Sequence, residues 1–165
     1  IEINDEQEEF TRPWFDNSPY ADKIEFIIGD AMQVVPSLGV TFDMAFIDGD
    51  KRKYLEFYEL VLKYLRPGGY ILADNTLWGG HVTEEHVRES DLQTQGILHF
   101  NDFVATDKRV EKVILPLRDG LTIIRKKMIC KRRIAIGVGM LMLVVLGILC
   151  YVRWEVWFGN MPMPA

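Results

Sequence analysis

Cysteine is nearly absent: of 165 residues only Cys130 and Cys150 carry a thiol, both in the last quarter of the chain. Neither has metal-ligand spacing to another Cys or His, and two thiols so close in sequence cannot build a disulfide framework. A reducing, cytosolic setting for the main domain is therefore the expectation. Histidine is scarce as well, and His81, His86 and His99 are too scattered to suggest a zinc site. Basic residues are few where most of the chain lies. Residues 1–124 hold 12 Lys and Arg against 23 Asp and Glu, a balance of −11. So acidic a body argues against a nucleic-acid partner. The length suits one domain with a real core plus an appendage, and no internal repeat or low-complexity segment is present.

The appendage reverses the charge, because residues 125–165 hold 7 Lys and Arg against 1 acid. Residues 134–152, "IAIGVGMLMLVVLGILCYV", run 19 residues without a charge. As a helix of roughly 1.5 Å per residue they reach about 28 Å, close to the hydrocarbon thickness of a bilayer. Arg125, Lys126, Lys127, Lys131, Arg132 and Arg133 precede the run, and Tyr151, Trp154, Trp157 and Phe158 follow it. These flanks predict a single membrane span that anchors a cytoplasmic N-terminal domain. Met128 opens a second reading, since "MICKRR" before an apolar run has the layout of a signal anchor, which belongs at a protein's N-terminus. On that reading residues 128–165 come from a neighbouring reading frame. Both readings divide the chain into a domain at 1–127 and a basic flank with a hydrophobic helix at 128–165.

Between Ile1 and Arg125, apolar runs of strand length alternate with helical patterns, which predicts an α/β fold with a parallel sheet. "IEI" reads as the stub of a strand. Asn4, with Gln7 three residues on, reads as the capping box of a helix through Phe10, ended or broken by Pro13 and Pro19. "KIEFII" (23–28) reads as the next strand and "AMQVVPSL" as a short helix. "FDMAFID" (42–48) has little polarity on either face, the pattern of a strand covered by helices on both sides. Tyr54, Leu55, Tyr58, Val61, Leu62 and Leu65 recur at three and four residues, which predicts an amphipathic helix over 51–64 that "RPGG" stops. "YILAD" follows as a strand and "GILHFNDFVA" as a helix. "VEKVILPL" and "GLTIIRK", joined through Arg118, Asp119 and Gly120, close as antiparallel neighbours.

The apolar runs end in acids. Glu2 ends the first, Asp30 follows the second, Asp48 and Asp50 end the third, and Asp74 with Asn75 ends the fourth. One acid after a strand is more often a helix cap or loop residue. Several on the carboxyl rim of an open sheet, where such folds place their ligands, point to a shared site. Asp48, Asp74 and Asn75 supply three hard oxygen donors suited to Mg²⁺ or Ca²⁺, and Glu2 fits an acid that binds the two ribose hydroxyls of a nucleotide-like cofactor.

The stretch "FDMAFIDGDKRKYLEFYELVLKYLRPGGYILADNTLWGGHV", with "IEINDEQ" and "IEFIIGDA" before it and "LPLRDGLTIIRKK" after it, resembles the cation-dependent class I S-adenosylmethionine O-methyltransferases. That family includes the caffeoyl-CoA and catechol enzymes, and the resemblance covers residues 1 to about 127. It implies a Rossmann-like methyltransferase sheet and an acceptor that is a small molecule carrying a hydroxyl, catechol-like in kind. It also implies that Asp48, Asp74 and Asn75 are metal ligands, with Asp48 near the substrate as well. Glu2 falls on the cofactor's ribose, Asp30 and Ala31 beside its adenine, and Asp50 against the cofactor. Lys51 corresponds to the proposed general base, and Trp78 to an aromatic wall in a loop over the acceptor. Members often form homodimers.

The chemistry agrees with those roles. A phenol with a pKa of about 10 is mostly protonated at neutral pH, and a dication holding two vicinal oxygens acidifies it. Lys51, in the neutral form that the cation's charge favours, then takes the proton. Transfer from sulfonium to oxygen is an in-line displacement, so positioning the two reactants is the protein's main contribution.

The sequence departs from the family pattern in places. The family's first strand and glycine-rich cofactor loop would precede Glu2, so the chain is expected to be part of a longer protein and to bind the cofactor poorly alone. Gly49 stands where alanine is common, and Pro13 falls within the first helix. Two other readings stand beside this one. Asp48-Gly49-Asp50 after a strand has the "D-x-D" form of Mg²⁺-dependent phosphotransferases, although Lys51, Arg52 and Lys53 replace the hydroxyl residue expected there. The domain could also be a non-catalytic, membrane-tethered scaffold.

Overall fold

The structure, a computed structural model, describes residues 1–128 together with Leu146 and Ile148, each of them helical. The chain divides into two compact units, Ile1–Lys127 and Met128–Ala165. The span expected at 134–152 lies, apart from Leu146 and Ile148, outside the described residues. Among the described residues no helix is long and apolar enough to cross a membrane.

The first unit is built on four strands, β1 (Phe42–Ile47), β2 (Leu65–Asp74), β3 (Val110–Leu115) and β4 (Leu121–Lys126), in the order β1-β2-β4-β3. Strands β1 and β2 run parallel, and the helix between them, α3 (Tyr54–Tyr64), makes the crossover that parallel neighbours require. Strand β4 pairs antiparallel with β2 and with β3, so the sheet is mixed. The last helix of this unit, α4 (Leu92–Thr106), packs beside α3.

The core is continuous. Ile47, Ile71, Ala73 and Ile124 from the sheet meet Tyr54, Tyr58 and Leu62 of α3 and Ile97, Phe100 and Val104 of α4. The rings of Tyr54 and Tyr58 both stand edge-on to Phe100, with centroids 5.5 and 5.9 Å apart. That edge-to-face geometry matches the ring quadrupoles and fixes how α3 sits on α4.

Four expectations need correction. Strand β1 is not covered on both faces: Met44 and Phe46 are each 58% exposed, and Tyr70 and Val113 on the same side of the sheet are exposed too. Their alternation with Ala45 and Ile47 leaves an apolar sheet face opposite α3 and α4. Next, residues 23–28 do not form a strand. A 3₁₀ turn at Ala21–Lys23 gives way to extended chain that pairs only through a Glu2–Ile28 bridge, with hydrogen bonds Glu2 N–H to Ile27 O (3.0 Å) and Gly29 N–H to Glu2 O (2.8 Å). Strand propensity needs a neighbour to pair with, and residues 1–3 are too short to offer a ladder. Third, Pro13 does not stop α1, which spans Glu6–Asp16. Proline forfeits one backbone bond there, and α1 buries no residue. Fourth, "RPGG" lies inside β2, because the chain turns extended directly at Leu65.

Candidate active site

The parallel register of β1 and β2 sets Ile47 beside Ala73, so Asp48 and Asp74 occupy the next register positions at two adjacent carboxyl ends. Adjacent strands lie about 4.8 Å apart, which brings the two acids onto one rim. Beyond β1 the chain turns through Gly49 and Asp50 into a 3₁₀ turn, Lys51–Lys53, that leads into α3. Asp50 caps this turn by accepting the N–H of Arg52 (3.1 Å), and both its oxygens also receive the Arg52 side chain at 2.6–3.0 Å. Those side-chain hydrogen bonds hold the Asp50 carboxyl below the usual carboxylate range.

Lys51 follows the cap, and its surroundings are unusual for a lysine in a first turn. It is only 7% exposed. Its Nζ donates to Asp48 Oδ1 (2.8 Å) and to the Tyr54 hydroxyl (2.6 Å), and lies 4.6 Å from the Tyr54 ring centroid and 5.9 Å from that of Trp78. Burying an ammonium is costly unless it is paired and hydrogen-bonded, and here it is both. Helix α4 fixes the lysine's backbone. The N–H of Lys51 donates to Gln93 Oε1 (3.1 Å), and Gly96 lets the helix pass so close that a Cβ there would sit 2.7 Å from Arg52 Cα and nearer still to the Lys51 carbonyl.

The other wall rises from β2. Asp74 Oδ1 accepts the N–H of Asn75 (2.8 Å), and Asn75 takes the left-handed conformation at φ 56°. Thr76 is fully buried: its hydroxyl accepts from Thr122 (2.8 Å) and its carbonyl from Asn101 Nδ2 (2.8 Å). The hairpin between β3 and β4 then clamps the chain, with Thr76 N–H on Gly120 O (3.1 Å), Leu77 N–H on Asp119 O (2.9 Å) and Gly79 N–H on the Asp119 carboxylate. Gly120 is at φ 86°, and a Cβ there would lie 2.8 Å from Leu77 N. This clamp holds Trp78 at φ 48°, a conformation a bulky side chain seldom adopts. Trp78, Gly79, His81, Asp91, Gln93 and Asp119 line an open cleft of about 430 Å³.

The predicted residues thus fall into two groups. Asp48, Asp50, Lys51, Asp74, Asn75 and Trp78 gather at the ends of β1 and β2. Glu2, Asp30 and Ala31 lie on the bridged pair: Glu2 Oε1 accepts from Asn4 N–H (2.8 Å), and Asp30 caps α2 (Ala31–Ser37) by accepting from Met32 N–H (2.9 Å). Among the described residues no hydrogen bond or strand pairing joins the two groups. Nor do three His, Cys, Asp or Glu gather as a metal cluster, since the donor set at β1 and β2 is two carboxylates and an amide. Sequence reasoning missed Tyr54, Gln93 and Gly96. Tyr54 had a signal, standing three residues after Lys51 on one helical face. Gly96 had one too, because glycine inside a helix costs about 1 kcal/mol and marks a close approach. Gln93 had none.

An open α/β sheet with its polar groups gathered at the carboxyl ends of parallel strands is the ground plan of a Rossmann-like enzyme. A family model described as O-methyltransferase matches residues 1–127, and the chain belongs to that family. It is 39% identical over 124 residues to a flavonoid 3',5'-methyltransferase of Vitis vinifera, covering 69% of this chain and 53% of that protein. It is 36% identical over 139 residues to caffeoyl-CoA O-methyltransferase 2 of Zea mays, covering 76% and 52% respectively. The structure resembles the O-methyltransferase TomG of Streptomyces achromogenes, solved in complex with SAM, with a TM-score of 0.71 and 26% identity over 78% of this chain and 60% of that one. The chain spans about half the length of the curated relatives it matches. These relatives are methyltransferases, so the phosphotransferase reading of Asp48 and Asp50 is set aside.

Proposed function

We propose that this domain serves a divalent-cation-assisted O-methyltransferase that moves a methyl group from S-adenosylmethionine to one hydroxyl of a small, catechol-like acceptor. One observation carries the reading: a lysine held under the surface and ion-paired to Asp48, at the rim shared with Asp74 and Asn75, beside a cleft walled by Trp78.

The donor chemistry suits a hard dication, Mg²⁺ or Ca²⁺. Asp48 is 52% exposed at its side chain and commits one oxygen to Lys51, while Asp74 commits one to the Asn75 N–H, which leaves a second oxygen on each carboxylate, with the Asn75 amide as a third donor next in sequence. When bound, such an ion acidifies a coordinated hydroxyl. For the cofactor, Glu2 and Asp30 each keep one carboxylate oxygen beyond its local bond, whereas Asp50 would have to release Arg52. Bound S-adenosylmethionine supplies an electrophilic methyl on sulfonium.

The chain's own residues do the rest. Trp78 and the cleft orient the acceptor so that one oxygen faces the methyl group. As the C–O bond forms and the C–S bond breaks, the hydroxyl proton passes to the lone pair of Lys51 Nζ, which acts as base in its neutral amine form once its ammonium proton has gone to solvent. The test is transfer of a labelled methyl group from S-adenosylmethionine to a vicinal diol by the full-length protein with Mg²⁺. Chelation, or Asp48→Ala with Asp74→Ala and Asn75→Ala, should lower the rate at least ~100-fold, the scale of losing electrostatic stabilisation. An undiminished rate sinks the reading.

Anchoring of this cytoplasmic domain through residues 134–152, and a homodimer, belong to the same proposal. The anchor is supported by 19 uncharged residues behind six bases. The full chain should then stay with membranes after an alkaline carbonate wash, and a chain ending at Lys127 should not. Release of both would remove the anchor.

A further inference from the structure

Tyr54 is wholly buried, and its ring is held edge-on to Phe100. A phenylalanine would fill the same space. What the hydroxyl adds is a junction: it accepts from Lys51 Nζ (2.6 Å) and has one proton to give, with the Asp74 carbonyl at 2.9 Å and the Ile47 carbonyl at 3.3 Å. Those carbonyls belong to the last residues of β2 and β1, so a single oxygen ties the lysine to both strand ends that carry the candidate ligands. The hydroxyl is thus acceptor to Lys51 and donor to the backbone at once.

We infer that Tyr54 is a positioning residue that aims Lys51 Nζ at the rim formed by Asp48 and Asp74. This rests on the role of Lys51 proposed above and adds to it. Two of the three positions on Nζ beyond its carbon carry N–H groups given to Asp48 and Tyr54, which fixes the direction of the third, where the lone pair of the neutral amine takes the hydroxyl proton. Without the Tyr54 oxygen the four-carbon stem would keep only the half-exposed Asp48 carboxylate as a fixed point.

The experiment is a double-mutant cycle in the full-length protein, read by methyl transfer to a vicinal diol. Tyr54→Phe keeps the ring on Phe100. It should lower kcat roughly 10-fold or more, with KM for acceptor and cofactor within about twofold, because displacement of about 1 Å at a reacting group costs that much. In a Lys51→Ala background the same change should alter kcat less than about twofold, since residues that act as a unit are not additive. Equal fold-losses in both backgrounds would show a structural role and overturn the inference alone. An undiminished rate in Lys51→Ala would remove the Lys51 reading and this inference with it. Should Tyr54→Phe fail to fold, 3-fluorotyrosine at position 54 keeps ring and hydroxyl, and its fluorine resonance should move on Lys51→Met. An unmoved resonance would overturn the contact.

Discussion

Residues 1–39 build no core and residues 42–126 do, although both leave apolar side chains exposed, Met44 and Phe46 among them in the second. The first region buries only Val35, and leaves Ile1, Ile3, Phe10, Trp14, Tyr20 and Ile24 exposed. The second buries the twelve residues of the core cluster and ties distant elements together by hydrogen bonds such as Tyr54 to Asp74, Asn101 to Thr76 and Lys126 Nζ to the carbonyls of Leu62 and Leu65. In the first region the longest hydrogen-bonded reach is the bridge between Glu2 and Ile28, although α2 also packs against α3. The difference teaches which half of the candidate site stands by itself. Asp48, Lys51, Asp74 and Asn75 are set by a packed sheet and two helices, whereas Glu2, Asp30 and Ala31 are set by one bridge, one cap and the packing of the short helix α2 against α3.

The largest effect that would break this comparison is a core deletion set against its counterpart. Phe100→Ala should cost about 3–5 kcal/mol in urea unfolding of residues 1–127, because the ring sits fully buried between Tyr54 and Tyr58. Trp14→Ala removes a larger side chain that is 71% exposed, and should change stability by no more than about 0.5 kcal/mol. Comparable losses would mean that the first region is packed after all. A null result at Phe100 would undo the account of how α3 and α4 hold Lys51.

The same asymmetry explains what could be read from sequence. The apolar runs of β1, β2 and β4, the helical spacing of Tyr54, Tyr58 and Leu62, and the turn at Arg118-Asp119-Gly120 were all legible, because each element meets the partner its pattern requires. Ile24, Phe26 and Ile28 carry an equally good strand pattern, yet only Ile28 is paired. Pattern records what a segment could bury, and pairing depends on what lies beside it. The same limit applies to the uncovered face at Met44 and Phe46. Within the site, Asp48 and Asp74 were visible as acids after apolar runs. The burial of Lys51 was not, since it depends on Gln93 and Gly96 some forty residues away.

A smaller effect sharpens the comparison through pH. Asp107 closes α4, its side chain 5% exposed, and accepts from the Tyr58 hydroxyl (2.7 Å), the Arg109 N–H (2.7 Å) and the Arg109 guanidinium, which also grips Glu59 of α3. Burial alone would raise its pKa, but the bonds from Arg109 and Tyr58 outweigh it and hold the carboxyl at about 2. An unfolded Asp titrates near about 3.9, so between those values the unfolded chain binds more protons and stability rises with pH. The contribution is whole above about pH 4 and is lost as pH falls toward 2. In urea unfolding from pH 5 to pH 2, Asp107→Asn should lower stability at pH 5 and flatten the acid-side slope. Among residues 1–39 every side-chain hydrogen bond to a carboxylate is local in sequence, as in Glu8 with Arg12 or Asp30 with Met32, so Glu8→Gln should leave that slope unchanged. A slope that survives Asp107→Asn would move the acid sensitivity elsewhere. One that vanishes with Glu8→Gln would give the first region a share in the cooperative core that its exposed side chains deny it.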